Sequence, residues 1–274
     1  MHDLQVTANE VVAEKIALEE KLQEMERRWK REQNEKAEIR KRHTLYTLET
    51  AQRMMDHQEA MAMAVQTAEN LKVQYPSWWN MKRLDAAKYS DVVLMDLPLD
   101  SAVGKEVVDS FKATAANNVV KVEGVMNRML YDRWWNEKRA LTKSVGADHV
   151  NERNMFHGAR TEDTMQIVIR EGFRKVFNKS AASGFGTYLA KNANYSAASG
   201  YSAVDSNGIK KIFRCNVLCG ESHIGNASYT LTTWPKKANG LIYDSLIKGN
   251  VDDPTVVVIH ENARIYPMFI IHFQ

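Results

Sequence analysis

The sequence predicts an α+β protein in which a long N-terminal helix leads into a mixed body whose strands gather toward the C-terminus. Three observations carry this. Residues 1–70 contain neither Gly nor Pro, and the first of each are Gly104 and Pro76, so nothing in that stretch interrupts a helix. Between there and residue 205, helical stripes alternate with brief apolar runs. After residue 205 the texture changes to "KKIFRCNVLCGE", "ASYTLTT", "GLIYDSLI", "PTVVVIHE" and "RIYPMFIIHF". These are period-two or wholly apolar runs separated by turn formers, which is the pattern of short strands.

The chain divides on this reading into a helical segment, 1–72, and a folded body, 73–274. In the helical segment Leu4, Ala8, Val11, Lys15, Leu18, Leu22, Met25 and Trp29 alternate at spacings of four and three. That is a heptad seam with one polar interruption, so 4–29 is a candidate coiled coil through which the chain could form a homo-oligomer. The alternative is a helix packed on its own domain or left solvated. The seam stops at "REQNEKAEIRKR", residues 31–42, where acids and bases alternate as on a solvated helix face.

The segment "VQYPSWWNMKRL" marks the boundary, because Pro76 stops helix propagation and Trp78 and Trp79 can anchor a chain onto a core. Residues 105–143 open on a helical stripe at Val107 and Phe111. Alternating valines in "NVVKVEGVMNRML" then feed a second helical pattern. Cys215 and Cys219 are the only cysteines; four apart on a strand they sit roughly 13 Å from one another, too far for a disulfide. With His223 as the one obvious neighbour, they read as buried thiols, and no metal site is expected.

Composition excludes several classes. Hydrophobic residues are 44% and charged residues 26% of the chain, ordinary for a soluble globular protein. No apolar run approaches the ~20 residues of a membrane span, and the N-terminus lacks the layout of a signal peptide. An intracellular location, cytoplasmic or nuclear, is therefore expected. The net charge of +3 hides an asymmetry: residues 71–274 carry 26 Lys and Arg against 20 Asp and Glu, a mildly basic body that fits an anionic ligand but is too weak to argue for nucleic acid, and no Cys/His cluster is spaced for a zinc finger.

Several stretches then occur in a telling order: "NERNMFHGART", "EGFRK", "GFGTYLAKNANYSAASGY", "FRCNVLCGE" and "GLIYDSLIKGNVDDPTVVVIHENARIYPMFIIHF". Together they resemble the catalytic domain of poly(ADP-ribose) polymerase-like, diphtheria-toxin-like ADP-ribosyltransferases, over roughly residues 75–274. The resemblance implies two small antiparallel sheets flanked by helices, with NAD⁺ bound between them as substrate. It implies that His157 hydrogen-bonds the adenosine ribose, and that the Gly158 backbone pairs with the nicotinamide carboxamide. Ala159 stands where a Ser or Thr is common. Arg174 is a candidate for the adenine or pyrophosphate side, or else an ordinary surface arginine.

In the same resemblance Gly184 and Gly186 form the turn entering a strand, and Tyr188 flanks the nicotinamide-bearing part of NAD⁺. Ser196 matches the serine that binds the carboxamide. The family's stacking tyrosine usually comes three residues later, which is Ser199 here; Tyr201 is the nearest tyrosine, so either the helix carries an insertion or the stacking partner is absent. Polymerising members carry Glu two residues after the tyrosine of "YP". Here that position is Met268, whose thioether cannot act as a base, and Glu261 lies roughly 23 Å away along an extended chain. The implied triad is His157–Tyr188–Met268, and the implied activity is mono-ADP-ribosylation of a protein side chain, an acidic one or the chain itself. The alternative is an inactive NAD⁺- or ADP-ribose-binding scaffold.

Overall fold

The computed structural model describes residues 2–174, 182–198 and 200–274, and along its first helix the side chains of 14–15 and 17–63. Two compact units divide between Lys72 and Val73. The first is one helix, α1 (His2–Leu71). Its charged stretch pairs i to i+4, as in Lys36–Glu32 at 2.6 Å and Arg42–Glu38 at 3.7 Å, the solvated face that alternating signs predict. On the seam Leu18, Leu22, Met25 and Trp29 are 57–71% exposed. The side chains of Leu4, Ala8 and Val11 lie outside the described residues.

The second unit begins with an aromatic anchor. The Trp79 N–H donates to the Pro76 carbonyl at 3.0 Å, turning the chain so that Trp79 stacks on Tyr75 and meets Tyr131 edge-on, while Trp78 lies against Phe269. Short helix α2 (Met81–Ala86) leads to strand β1 (Val92–Leu97). Helix α3 (Ala102–Lys112) is capped by Ser101, whose Oγ accepts from the Gly104 N–H, and buries Val107 and Phe111. The alternating valines form β2 (Val119–Asn127). Asn127 then caps α4 (Arg128–Val145) through Leu130 N–H, while its amide nitrogen donates to the carbonyls of Ile169 and Arg170. A buried polar residue is thus satisfied on every side.

After β3 (Glu152–His157) and α5 (Glu162–Glu171), the chain enters β4 (Thr187–Ala190), the short helix α6 (Ala193–Ala197) and the two-residue β5 (Ala203–Val204). The remaining strands are β6 (Lys210–Leu218), β7 (Ser222–Ile224), β8 (Ser245–Gly249), β9 (Pro254–Ile259) and β10 (Ile265–Phe273). The run 227–233, which alternation predicts as a strand, is instead a loop. Its hydroxyls satisfy the local backbone: Thr230 Oγ1 accepts from the amides of Thr232 and Thr233, and Thr233 Oγ1 donates to the Ser228 carbonyl. Such local bonds compete with a ladder.

The strands run in the order β1-β2-β10-β6-β3-β4-β9-β8-β7, with β5 on β6. All pairings are antiparallel except β7 with β8. The two small sheets are two halves of this array, joined where β3 meets β4 through one residue pair, Phe156 with Ala190. Neighbours along a strand enter opposite cores, as a two-residue period demands. Phe156, Ile212 and Ile271 pack with Phe111 and Trp134, whereas Met155, Phe213 and Ile270 pack with Met165 and Ile169.

Candidate active site

The candidate site lies at that junction. The β3–β4 ladder stops after Phe156 and Ala190, and one residue on a side chain takes over: His157 Nδ1 lies 2.8 Å from the Tyr188 carbonyl. A carbonyl only accepts, so Nδ1 carries the proton and Nε2 of the neutral ring keeps its lone pair. Phe173 meets the imidazole edge-on, with ring centres 5.0 Å apart. Burial pulls the pKa of His157 below its ordinary value, partly offset by the bond to Tyr188. The ring is therefore a neutral group with one nitrogen committed and one able to accept from a hydroxyl.

Tyr188 is held as tightly. Its hydroxyl donates to the Gly184 carbonyl at 2.7 Å and accepts from the Ser183 N–H at 2.8 Å, while its ring packs by Trp234, Leu246 and Val258. Burial raises its pKa, so it stays a phenol. The tight turn depends on Gly184, which has φ +108°, a conformation side chains rarely adopt. The phenol of Tyr188 and the backbone of its own glycine turn thus hold one another.

Gly158 brings in the second wall. A Cβ on it would fall 2.2 Å from the Tyr201 carbonyl oxygen and 2.8 Å from that of Ser196. Only a glycine lets these backbones lie together. Ser196 is buried on α6, and among the described residues its Oγ makes no hydrogen bond. Tyr201 follows a turn in which its N–H donates to the Ala198 carbonyl, and the residue is 41% exposed. The structure therefore gathers His157, Gly158, Tyr188, Ser196 and Tyr201. Ser199, the other position weighed for the stacking ring, lies outside the described residues.

Two predicted positions make no hydrogen bond or ring contact with these residues. Arg174 is exposed and forms an ion pair with Glu171 three residues earlier. Met268 is 6% exposed within the core that also contains Ala193 and Ala197 of α6. It sits at a bulge, where β10 shifts register against β6 between Pro267 and Phe269. Opposite the bulge is Arg214, whose guanidinium lies over Phe269 and bonds Glu106 at 2.7 Å. Among the described residues no group of three or more His, Cys, Asp and Glu could hold a metal ion, and both cysteines are buried free thiols.

Sequence reasoning missed three contributors. Arg160 lies with its guanidinium carbon 5.6 Å from the centre of the Tyr201 ring, and Tyr195 stacks on the same ring at 5.5 Å and 23°. Both sit inside quoted motifs, beside residues already singled out. Thr114 lies 79 residues from Ala193, yet its Oγ1 accepts the Ala193 N–H at 2.7 Å and pins the start of α6. No local signal marks it.

Comparison with known proteins identifies relatives along most of the second unit. The chain is 29% identical over 252 residues to human protein mono-ADP-ribosyltransferase PARP14, covering 89% of this chain and 13% of that protein. It is 28% identical over 201 residues to human protein mono-ADP-ribosyltransferase PARP12, covering 72% of this chain and 28% of the relative. A probable poly [ADP-ribose] polymerase of Dictyostelium discoideum is 25% identical, across 73% of this chain and 57% of its own length. The chain thus spans less than a third of either human relative. The profile of the poly(ADP-ribose) polymerase catalytic domain matches residues 102–252, from α3 through the junction that holds His157 and Tyr188 to the turn before β9. On that match, the chain belongs to the poly(ADP-ribose) polymerase catalytic-domain family.

Proposed function

We propose that this chain is a mono-ADP-ribosyltransferase that moves ADP-ribose from NAD⁺ to a protein side chain, an acidic one, and releases nicotinamide. The observation that carries the reading is the meeting of His157, Gly158, Tyr188, Ser196 and Tyr201 at one junction, with a buried thioether where an acid would be needed for chain extension. NAD⁺ fits this donor set. Nε2 of His157 can accept from a ribose hydroxyl. The backbone of Gly158 and the hydroxyl of Ser196 can pair with an amide, and Tyr201 offers a flat face.

NAD⁺ supplies the ADP-ribosyl group: the bond from the anomeric carbon to the nicotinamide nitrogen breaks, its electron pair leaves with nicotinamide, and a carboxylate oxygen of the acceptor forms the new bond. A carboxylate has no proton to lose, so this step asks for no general base. The acceptor's own charge stabilises the cationic sugar of the transition state. Extending a polymer would require deprotonating a ribose hydroxyl, and Met268 offers no basic atom for that. The protein contributes orientation, because the imidazole and the phenol are both locked by the backbone before substrate arrives.

Met268 and Ala159 favour a second reading, an NAD⁺- or ADP-ribose-binding scaffold without turnover. Incubation with labelled NAD⁺ followed by denaturing electrophoresis separates them. Single additions lost in His157→Ala support the transferase. A ladder contradicts the role given to Met268, and absence of label with NAD⁺ binding intact establishes the scaffold.

A further inference from the structure

Tyr201 is the least secured member of the site. It follows Gly200, which has φ +86°, and the residue is 41% exposed. A ring so placed on a short turn would ordinarily populate several rotamers, and a stacking ligand would have to select one at an entropic cost. Two groups hold it. Tyr195, the residue before Ser196 on α6, stacks on it with centres 5.5 Å apart. Arg160, three residues beyond His157, places its guanidinium carbon 5.6 Å from the ring centre.

The reach of Arg160 has a structural origin. Gly158 lets the 157–160 segment lie against the Tyr201 carbonyl, closer than any side chain would allow. A residue two positions on can then extend across to the ring of Tyr201. Arg160 is exposed and its guanidinium has no ion-pair partner among the described residues, so it faces the aromatic ring alone. One short stretch, His157 to Arg160, thus supplies a ribose acceptor, a backbone surface and a clamp.

We propose that Arg160 is a positioning residue that fixes the ring of Tyr201 for nicotinamide, rather than a ligand of the NAD⁺ diphosphate. The proposal rests on the reading of the site as an NAD⁺ pocket. Arg160 acts through Tyr201, so its effect belongs to the nicotinamide half of the substrate and vanishes when the ring is removed. An exposed cation–π contact is worth a two- to five-fold change in affinity, roughly.

Calorimetry with two probes tests this: nicotinamide, which has no phosphate, and ADP-ribose, which has no nicotinamide. In Arg160→Ala, nicotinamide should bind about two- to five-fold more weakly and ADP-ribose as in the wild type. Arg160→Lys should recover part of the loss, and Arg160→Ala should add nothing in a Tyr201→Ala background. Unchanged nicotinamide binding, or a loss of ADP-ribose binding, overturns the assignment; the second result would put the guanidinium on the diphosphate. If the wild type binds neither probe, it is the NAD⁺ reading that fails. The clamp is then judged without ligand by NMR: an upfield shift of the Arg160 δ-methylene protons that disappears in Tyr201→Ala supports it, and no shift overturns it.

Discussion

Gly158→Ala is the substitution for which the structure sets the largest effect at the smallest chemical cost. The added Cβ would stand 2.2 Å from the Tyr201 carbonyl oxygen, with the Ser196 oxygen and the Tyr201 carbonyl carbon both at 2.8 Å. A comfortable carbon–oxygen contact is roughly 3.3 Å, so the 196–201 segment must retreat by about 1 Å. All three obstacles are backbone, and no rotamer change relieves them. Overpacking of this kind costs about 1–3 kcal/mol, which lowers Tm by about 2–4 °C per kcal/mol in a body of this size. The larger effect falls on function, because displacing substrate-positioning groups by about 1 Å costs on the order of 100-fold in rate. A melting curve and a transfer assay on the same preparation read both. Wild-type Tm together with wild-type transfer would show that these backbones are not in contact, and the two-walled site would be wrong.

Other expectations follow from the same geometry. The buried imidazole has a lowered pKa, so His157 stays neutral below the ordinary histidine range; NAD⁺ affinity should hold as pH falls through about 6.5 and drop only below that, and a midpoint above 6.5 would contradict the locked neutral ring. The sign for stability agrees: the unfolded histidine takes its proton first, so folding loses free energy as pH falls below about 6.5. Met268→Ala should lower stability by about 2–5 kcal/mol as a core truncation while transfer by the folded fraction persists; loss of transfer with the fold intact would give the thioether a role it lacks here. The bond from His272 holds the Glu123 pKa at about 2, so the stability this carboxylate provides is present above about pH 4.5 and lost toward pH 2. Glu123→Gln should flatten that acid transition, and an unchanged acid melt would refute the pairing. We also propose that the exposed seam of α1 associates with a second copy: the chain should sediment as a dimer that Leu22→Lys dissociates, and a wild-type monomer at micromolar concentration would end that idea.

Much of this was legible because the signals are local. Seventy residues without Gly or Pro announce α1, and β9 and β10 hold apolar runs, residues 256–259 and 268–271, of the kind a strand in a core carries. His157, Gly158, Tyr188 and Ser196 stand out because they lie inside short strings that resemble a family's motifs, and the structure brings those strings together at the β3–β4 junction. What could not be read depends on register and on distance along the chain. The bulge at Met268 is a one-residue slip between β10 and β6, and composition does not encode it. The strand expected over 227–233 failed because threonine has the alternation of a strand residue and also the hydroxyl of a turn residue. Arg160 reaches a ring 41 positions away through a contact that exists only because Gly158 admits the neighbouring backbone.

A structure of the chain bound to a non-hydrolysable NAD⁺ analogue tests the central claim most directly. The account predicts the carboxamide paired with the Gly158 backbone and the Ser196 hydroxyl, the nicotinamide ring against Tyr201, and a ribose hydroxyl on Nε2 of His157. An analogue bound away from the β3–β4 junction, or bound there with its nicotinamide turned away from Gly158, would contradict it.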